Sequence, residues 1–230
     1  MKDKVVIVTG AFGILGQAVC RALAAAGARV AAVDLSAQPR GDLAQALGER
    51  ALIVGGCDLT DAAQAKRAVD ATLAAFGRLD ALINITGGFA WETLEGGEPA
   101  TWERMHAMNL VTCANMCRAA VPALKTANGR IVNIGAAGAL KAAAGMGAYA
   151  AAKSGVHRLT EALAEELKGK VAVNAVLPSI IDTPTNRRDM PDADFGKWVA
   201  PADLAAVILF LASDAARAVT GALVPVTGGV

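Results

Sequence analysis

The chain has 230 residues, 54% of them hydrophobic and 19% charged, with a formal net charge of +1. That is enough for one sizeable α/β core, and it lacks the basic surface a nucleic-acid binder needs. Uninterrupted apolar stretches stay well below the roughly 18 residues of a membrane helix, so neither a nucleic acid nor a membrane is an expected partner.

In chain order, β-branched apolar runs at Val5–Val8, Arg29–Val33, Ala51–Val54, Ala81–Ile85, Arg130–Ile134, Val171–Leu177 and Leu223–Val226 read as strands. Between them, helical periodicity predicts helices over Ile14–Ala26, Asp61–Phe76, Thr101–Leu124, Ala148–Lys168 and Pro201–Ser213, with a short one at Asp42–Leu47. Such alternation predicts a Rossmann-type, doubly wound parallel sheet of about seven strands in a single domain spanning residues 1–230. Met1-Lys2-Asp3-Lys4 leads into an apolar run too short for a secretory signal, so a cytoplasmic location is expected. Cys20, Cys57, Cys113 and Cys117 lack metal-type spacing to histidines and read as reduced, packed thiols; no metal is expected.

Thr9-Gly10-Ala11-Phe12-Gly13-Ile14-Leu15-Gly16 follows the first strand and opens the first helix. Glycines there let the backbone approach a pyrophosphate at the helix N-terminus. Asp34, 18 residues beyond Gly16 at the end of the second strand and followed by Leu35, completes a dinucleotide pattern. Its carboxylate suits a ribose diol and repels a 2′-phosphate, favouring NAD(H), while nearby Arg40 leaves NADP(H) open.

The lone tyrosine, Tyr149, stands four residues before Lys153. On a helix the two share a face, so an ammonium beneath the phenol is expected to favour its anion. His106 and His157 fall within predicted helices, away from the strand ends, and read as structural or surface residues.

Together these motifs resemble the short-chain dehydrogenase/reductase family over essentially the whole chain. Cys57-Asp58-Leu59-Thr60 matches its adenine segment, Asn84-Ile85-Thr86-Gly87 its NNAG signature, and Asn109 its helix asparagine. Pro178, Ile181 and Thr183 match the loop facing nicotinamide, and Val226-Thr227-Gly228-Gly229 resembles the terminal VDGG. The resemblance implies that Tyr149 exchanges a proton with substrate, that Lys153 holds the nicotinamide ribose, and that Asn109 holds a water linking Lys153 to solvent. It also implies homodimers or homotetramers.

Two departures stand out. The glycine loop is TGxxGxxG where the family's usual spacing is TGxxxGxG, and the family's serine, thirteen residues before the tyrosine, is Ala136 here. Losing one donor aimed at a developing oxyanion costs about 2.7 to 4 kcal/mol. Dihydropteridine reductase-like members of the family carry alanine at that position, and they also resemble this chain from Val176 to Trp198. The resemblance implies a small-molecule substrate with an electron-poor C=N or C=O centre, such as a quinonoid dihydropterin. A 3-oxoacyl carrier-type ketoreductase or another carbonyl reductase or alcohol dehydrogenase, and a nucleotide-binding scaffold protein, are the alternatives. Arg187, Phe195 and Trp198 are candidates to cover a planar ring, and Trp91, with Phe89, to border it; packing of Phe195 and Trp198 onto the core is the competing reading.

Overall fold

The computed structural model describes residues 1–39 and 41–230; Arg40, and with it the question of NADP(H) tolerance, lies outside them. Seven strands, β1 (Val5–Thr9), β2 (Arg29–Val33), β3 (Ala51–Val54), β4 (Ala81–Asn84), β5 (Arg130–Ile134), β6 (Ala172–Pro178) and β7 (Leu223–Val226), form one parallel sheet in the order β3-β2-β1-β4-β5-β6-β7. Chain order reverses between β1 and β4, which opens a crevice at their C-terminal ends. Pro225 is accommodated in β7, a sheet edge, where a missing amide leaves no neighbour unpaired.

The strands are apolar throughout because helices cover both faces. On one face α1 (Ile14–Ala25), α2 (Leu43–Leu47) and α8 (Pro201–Ala212) pack on Val6, Val8, Ile83 and Val132. On the other, α3 (Ala62–Phe76), α5 (Thr112–Ala127) and α6 (Gly147–Glu166) pack on Val5, Ile7, Leu82 and Ile131. Asp61 caps α3, its carboxylate accepting from the Ala63 amide at 2.8 Å.

The helix expected over Thr101–Leu124 is divided. α4 (Pro99–His106) passes through a π-helical turn, Ala107–Val111, before α5 begins. The cause is local: the Asn109 amide donates to the Met105 carbonyl at 3.0 Å, and the Thr112 hydroxyl donates to that of Met108 at 2.9 Å, so side chains compete for carbonyls of the helical ladder. A short helix unforeseen in the sequence, α7 (Pro184–Asp189), follows β6, with the Thr183 hydroxyl accepting from the Asn186 amide at 3.1 Å. No helix among the described residues is long and apolar enough to cross a membrane, and no group of three or more His, Cys, Asp or Glu could hold a metal.

Candidate active site

The crevice is built first from the glycine loop. Gly10 takes φ +62°, and a Cβ on it would lie 3.0 Å from the Thr86 amide. The β1 and β4 loops are joined there, with the Thr9 hydroxyl accepting from the amides of Ile85 and Thr86 at 3.0 and 3.2 Å. A Cβ on Gly16 would collide with the Gly10 carbonyl, which explains why α1 must carry glycine in its first turn. Gly13 is the N-cap residue of α1, no side chain caps the helix, and Ile14 is exposed. Asp34 accepts from the Phe12 amide through one oxygen and from the Ser36 amide through the other, each at 2.9 Å. A cradle that side chains would fill, an uncapped helix N-terminus and a carboxylate at the second strand end suit a dinucleotide with a pyrophosphate and a ribose diol.

Several expected cofactor residues turn elsewhere. Leu59 is buried in the core beneath α3 and α5, so its side chain does not face the crevice, whereas Leu35 is exposed beside Asp34. Asp58 is half-buried and accepts from the amide and hydroxyl of Thr60 at 2.9 and 2.7 Å. Asn84 also points inward: its amide donates to Asn133 at 2.9 Å and to the Cys117 sulfur at 3.3 Å, because strand alternation sends it toward α5. Its carbonyl oxygen is buried without a hydrogen-bond partner.

The predicted acid–base residues do converge. A Cβ on Gly87 would sit 2.5 Å from the Asn109 oxygen and 3.3 Å from the Lys153 ammonium, so both side chains end beneath that backbone. The Asn109 amide and oxygen are paired with the carbonyl and amide of Gly88 at 3.1 and 3.2 Å. Lys153 is buried and donates to the Ile134 carbonyl at 2.8 Å; burial pushes its ammonium down to about 8. The Tyr149 ring meets Phe89 edge-to-face at 5.0 Å, and burial pushes its phenol up to about 12. This direction is opposite to the lowering expected from Lys153, because desolvation governs the phenol and the ammonium is engaged on β5.

Around the mouth, Phe89 and Trp91 are 57% and 63% exposed. The Trp91 indole donates to the Ala144 carbonyl at 3.0 Å and lies over Gly145, while the Glu92 amide donates to the Gly145 carbonyl at 2.8 Å. These contacts tie the loop after β4 to the loop before α6. Ala136, just past β5, is buried. On the opposite side Pro178 ends β6, Ile181 bridges to Val199, and Thr183 caps α7. Arg187 forks onto Asp182 at 2.6 and 2.7 Å, holding that carboxyl below its ordinary range, and its guanidinium stands 4.8 Å from the Phe195 ring. Phe195 packs on Trp198 at 4.8 Å. Trp198 itself is buried against Phe195, the arrangement that the competing reading of packing describes.

Sequence reasoning left Thr9 out of the site and placed His157 away from the strand ends. His157 is 2% exposed and its Nε2 accepts from the Ala136 amide at 3.3 Å. Its position eight residues after Tyr149, on the same face of α6, was the available signal.

The fold and crevice define a Rossmann-type oxidoreductase using a nicotinamide cofactor. A family model described as short chain dehydrogenase matches residues 4–194, and the chain belongs to that family. D-threitol dehydrogenase of Mycolicibacterium smegmatis is 37% identical, over 100% of this chain and 93% of the relative. A 2,5-dichloro-2,5-cyclohexadiene-1,4-diol dehydrogenase of Sphingobium indicum is 35% identical over 100% and 96%. Among solved structures, 3-ketoacyl-(acyl-carrier-protein) reductase from Brucella melitensis complexed with NADH superposes with a TM-score of 0.89 at 31% identity, covering 99% of this chain and 98% of that one.

Proposed function

We propose that the protein is an NAD(H)-preferring reductase of an electron-poor C=N or C=O centre in a flat ring, with Tyr149 as the proton donor at the reacting atom. The observation that carries this reading is Tyr149 itself: a half-buried phenol, edge-on to Phe89, on the α6 helix that also carries Lys153. The phenol carries its proton at neutral pH and can deliver it to the reacting atom as hydride arrives. Bound NADH supplies the hydride. Lys153 and Asn109 shape the floor beside the phenol, Phe89 and Trp91 offer aromatic surface to a ring, and Ala136 offers no hydroxyl to a carbonyl, so the ring must already be electron-poor. Asp34 disfavours a 2′-phosphate. Homodimers or homotetramers formed through the α4–α5 and α6 helices, and a cytoplasmic location, belong to the same reading. The quinonoid dihydropterin expected from the dihydropteridine reductase resemblance belongs in the test panel.

A second reading, oxidation and reduction at an ordinary alcohol or ketone, is favoured by the names of the relatives: a threitol dehydrogenase, a cyclohexadiene-diol dehydrogenase and a ketoacyl reductase. The deciding experiment measures NADH and NADPH oxidation on quinonoid dihydropterin, conjugated cyclic enones, cyclohexanones and acyclic ketones, and NAD⁺ reduction on the matching alcohols. NADH-dependent turnover highest on the conjugated rings supports the first reading. Turnover confined to ordinary ketones and alcohols refutes it.

A further inference from the structure

We propose that His157 is a positioning residue: together with Lys153 it clamps the backbone on either side of Gly135 and so fixes the pocket wall at Ala136 relative to Tyr149. The proposal rests on the reading of Tyr149 given above. Tyr149, Lys153 and His157 occupy successive turns of one face of α6. Lys153 donates to the Ile134 carbonyl at 2.8 Å, and the Ala136 amide donates to His157 Nε2 at 3.3 Å. Between them the Gly135 amide donates to the Val176 carbonyl of β6 at 2.9 Å. Three consecutive residues are thereby held by hydrogen bonds to α6 and β6.

Gly135 is what lets the imidazole in. A Cβ there would lie 2.5 Å from His157 Nε2 and 2.7 Å from its Cδ2, with Leu177 on its other flank at 3.2 Å. The clamp matters because residue 136 is alanine: a hydroxyl there would orient itself by its own hydrogen bonds, whereas a methyl group is placed only by its backbone. An Nε2 that accepts requires the neutral ring with its proton on Nδ1. Burial, with Arg158 and Lys153 nearby, holds His157 below its ordinary 6.5, against the opposing pull of Glu161. Gly135, Ala136 and Leu177 are what β5, its following residues and β6 bring against the ring.

The test uses the full chain as wild type, His157→Leu and His157→Gln, read by Ala136 amide hydrogen exchange, NADH affinity from fluorescence, and kcat and KM across pH. In His157→Leu the Ala136 amide should exchange at least about tenfold faster. Its kcat should fall about tenfold to a hundredfold, as expected for a displaced wall, with NADH affinity unchanged. His157→Gln, whose side-chain oxygen accepts the same amide, should recover most of both. As pH falls through the His157 pKa, wild-type kcat should drop, and this acid limb should be missing in His157→Gln. Unchanged exchange and kcat in His157→Leu would overturn the proposal; if that variant fails to fold, an acid limb retained in His157→Gln would do so. Should Tyr149→Phe keep full turnover while Ala136 exchange still responds to His157, the reading of Tyr149 fails and the clamp stands.

Discussion

Replacing Lys153 by methionine keeps the length of the side chain while removing a charge that the fold buries at a cost. Burial moves the ammonium from its ordinary 10.5 to about 8, and at roughly 1.4 kcal/mol per pH unit that gap opposes folding by about 3 kcal/mol. The variant also leaves the Ile134 carbonyl without its ammonium donor, a loss of about 1 kcal/mol. The net expectation is a gain of about 2 kcal/mol, or a Tm higher by about 4–8 °C for a chain of this size. The pH dependence carries the sign. Below the folded pKa of about 8 both folded and unfolded chains hold the proton, so the penalty is complete. Between about 8 and 10.5 the unfolded chain binds more protons, so wild-type stability rises with pH and the penalty fades. Denaturant titrations of wild type and Lys153→Met at pH 7 and pH 9.5 should show the variant's advantage shrinking with pH, while its turnover is lost. A variant less stable than wild type at pH 7, or an advantage independent of pH, would refute the reasoning.

Two further substitutions probe the mouth and the missing hydroxyl. Gly145→Ala places a methyl group where the Trp91 ring lies, at a residue with φ +76°, and should cost about 1–3 kcal/mol in stability. Trp91 emission should shift to the red, with KM for substrate rising more than kcat falls. Ala136→Ser should leave turnover on an electron-poor ring nearly unchanged; a gain of about a hundredfold or more on ordinary ketones would favour the second reading.

Much of this fold was legible because its signals are local. The apolar strand runs, the glycine loop and Asp34 each encode backbone shape or burial within a few residues, and they fall where expected. The side chains that turned inward were harder. Asn84 and Leu59 carry motif chemistry that suggests a crevice, yet strand alternation turns Asn84 toward Cys117 of α5 and core packing takes Leu59 inward. The spacing of Tyr149 and Lys153 correctly placed them on one helix face but could not show that the ammonium reaches across to β5. His157, read as structural or surface, is buried, but its contact with the Ala136 amide beyond β5 was hidden for the same reason: the room that Gly135 leaves for the ring is visible only once the two elements are packed together. The π-helical turn depends on Asn109 taking the Met105 carbonyl, a choice that helical periodicity does not record.

Tyr149→Phe tests the central claim most directly. The variant should bind NADH as wild type does while losing about a hundredfold to ten-thousandfold in turnover on the best ring substrate, the range a positioned proton donor supplies. Near-wild-type turnover across the whole substrate panel would contradict the account.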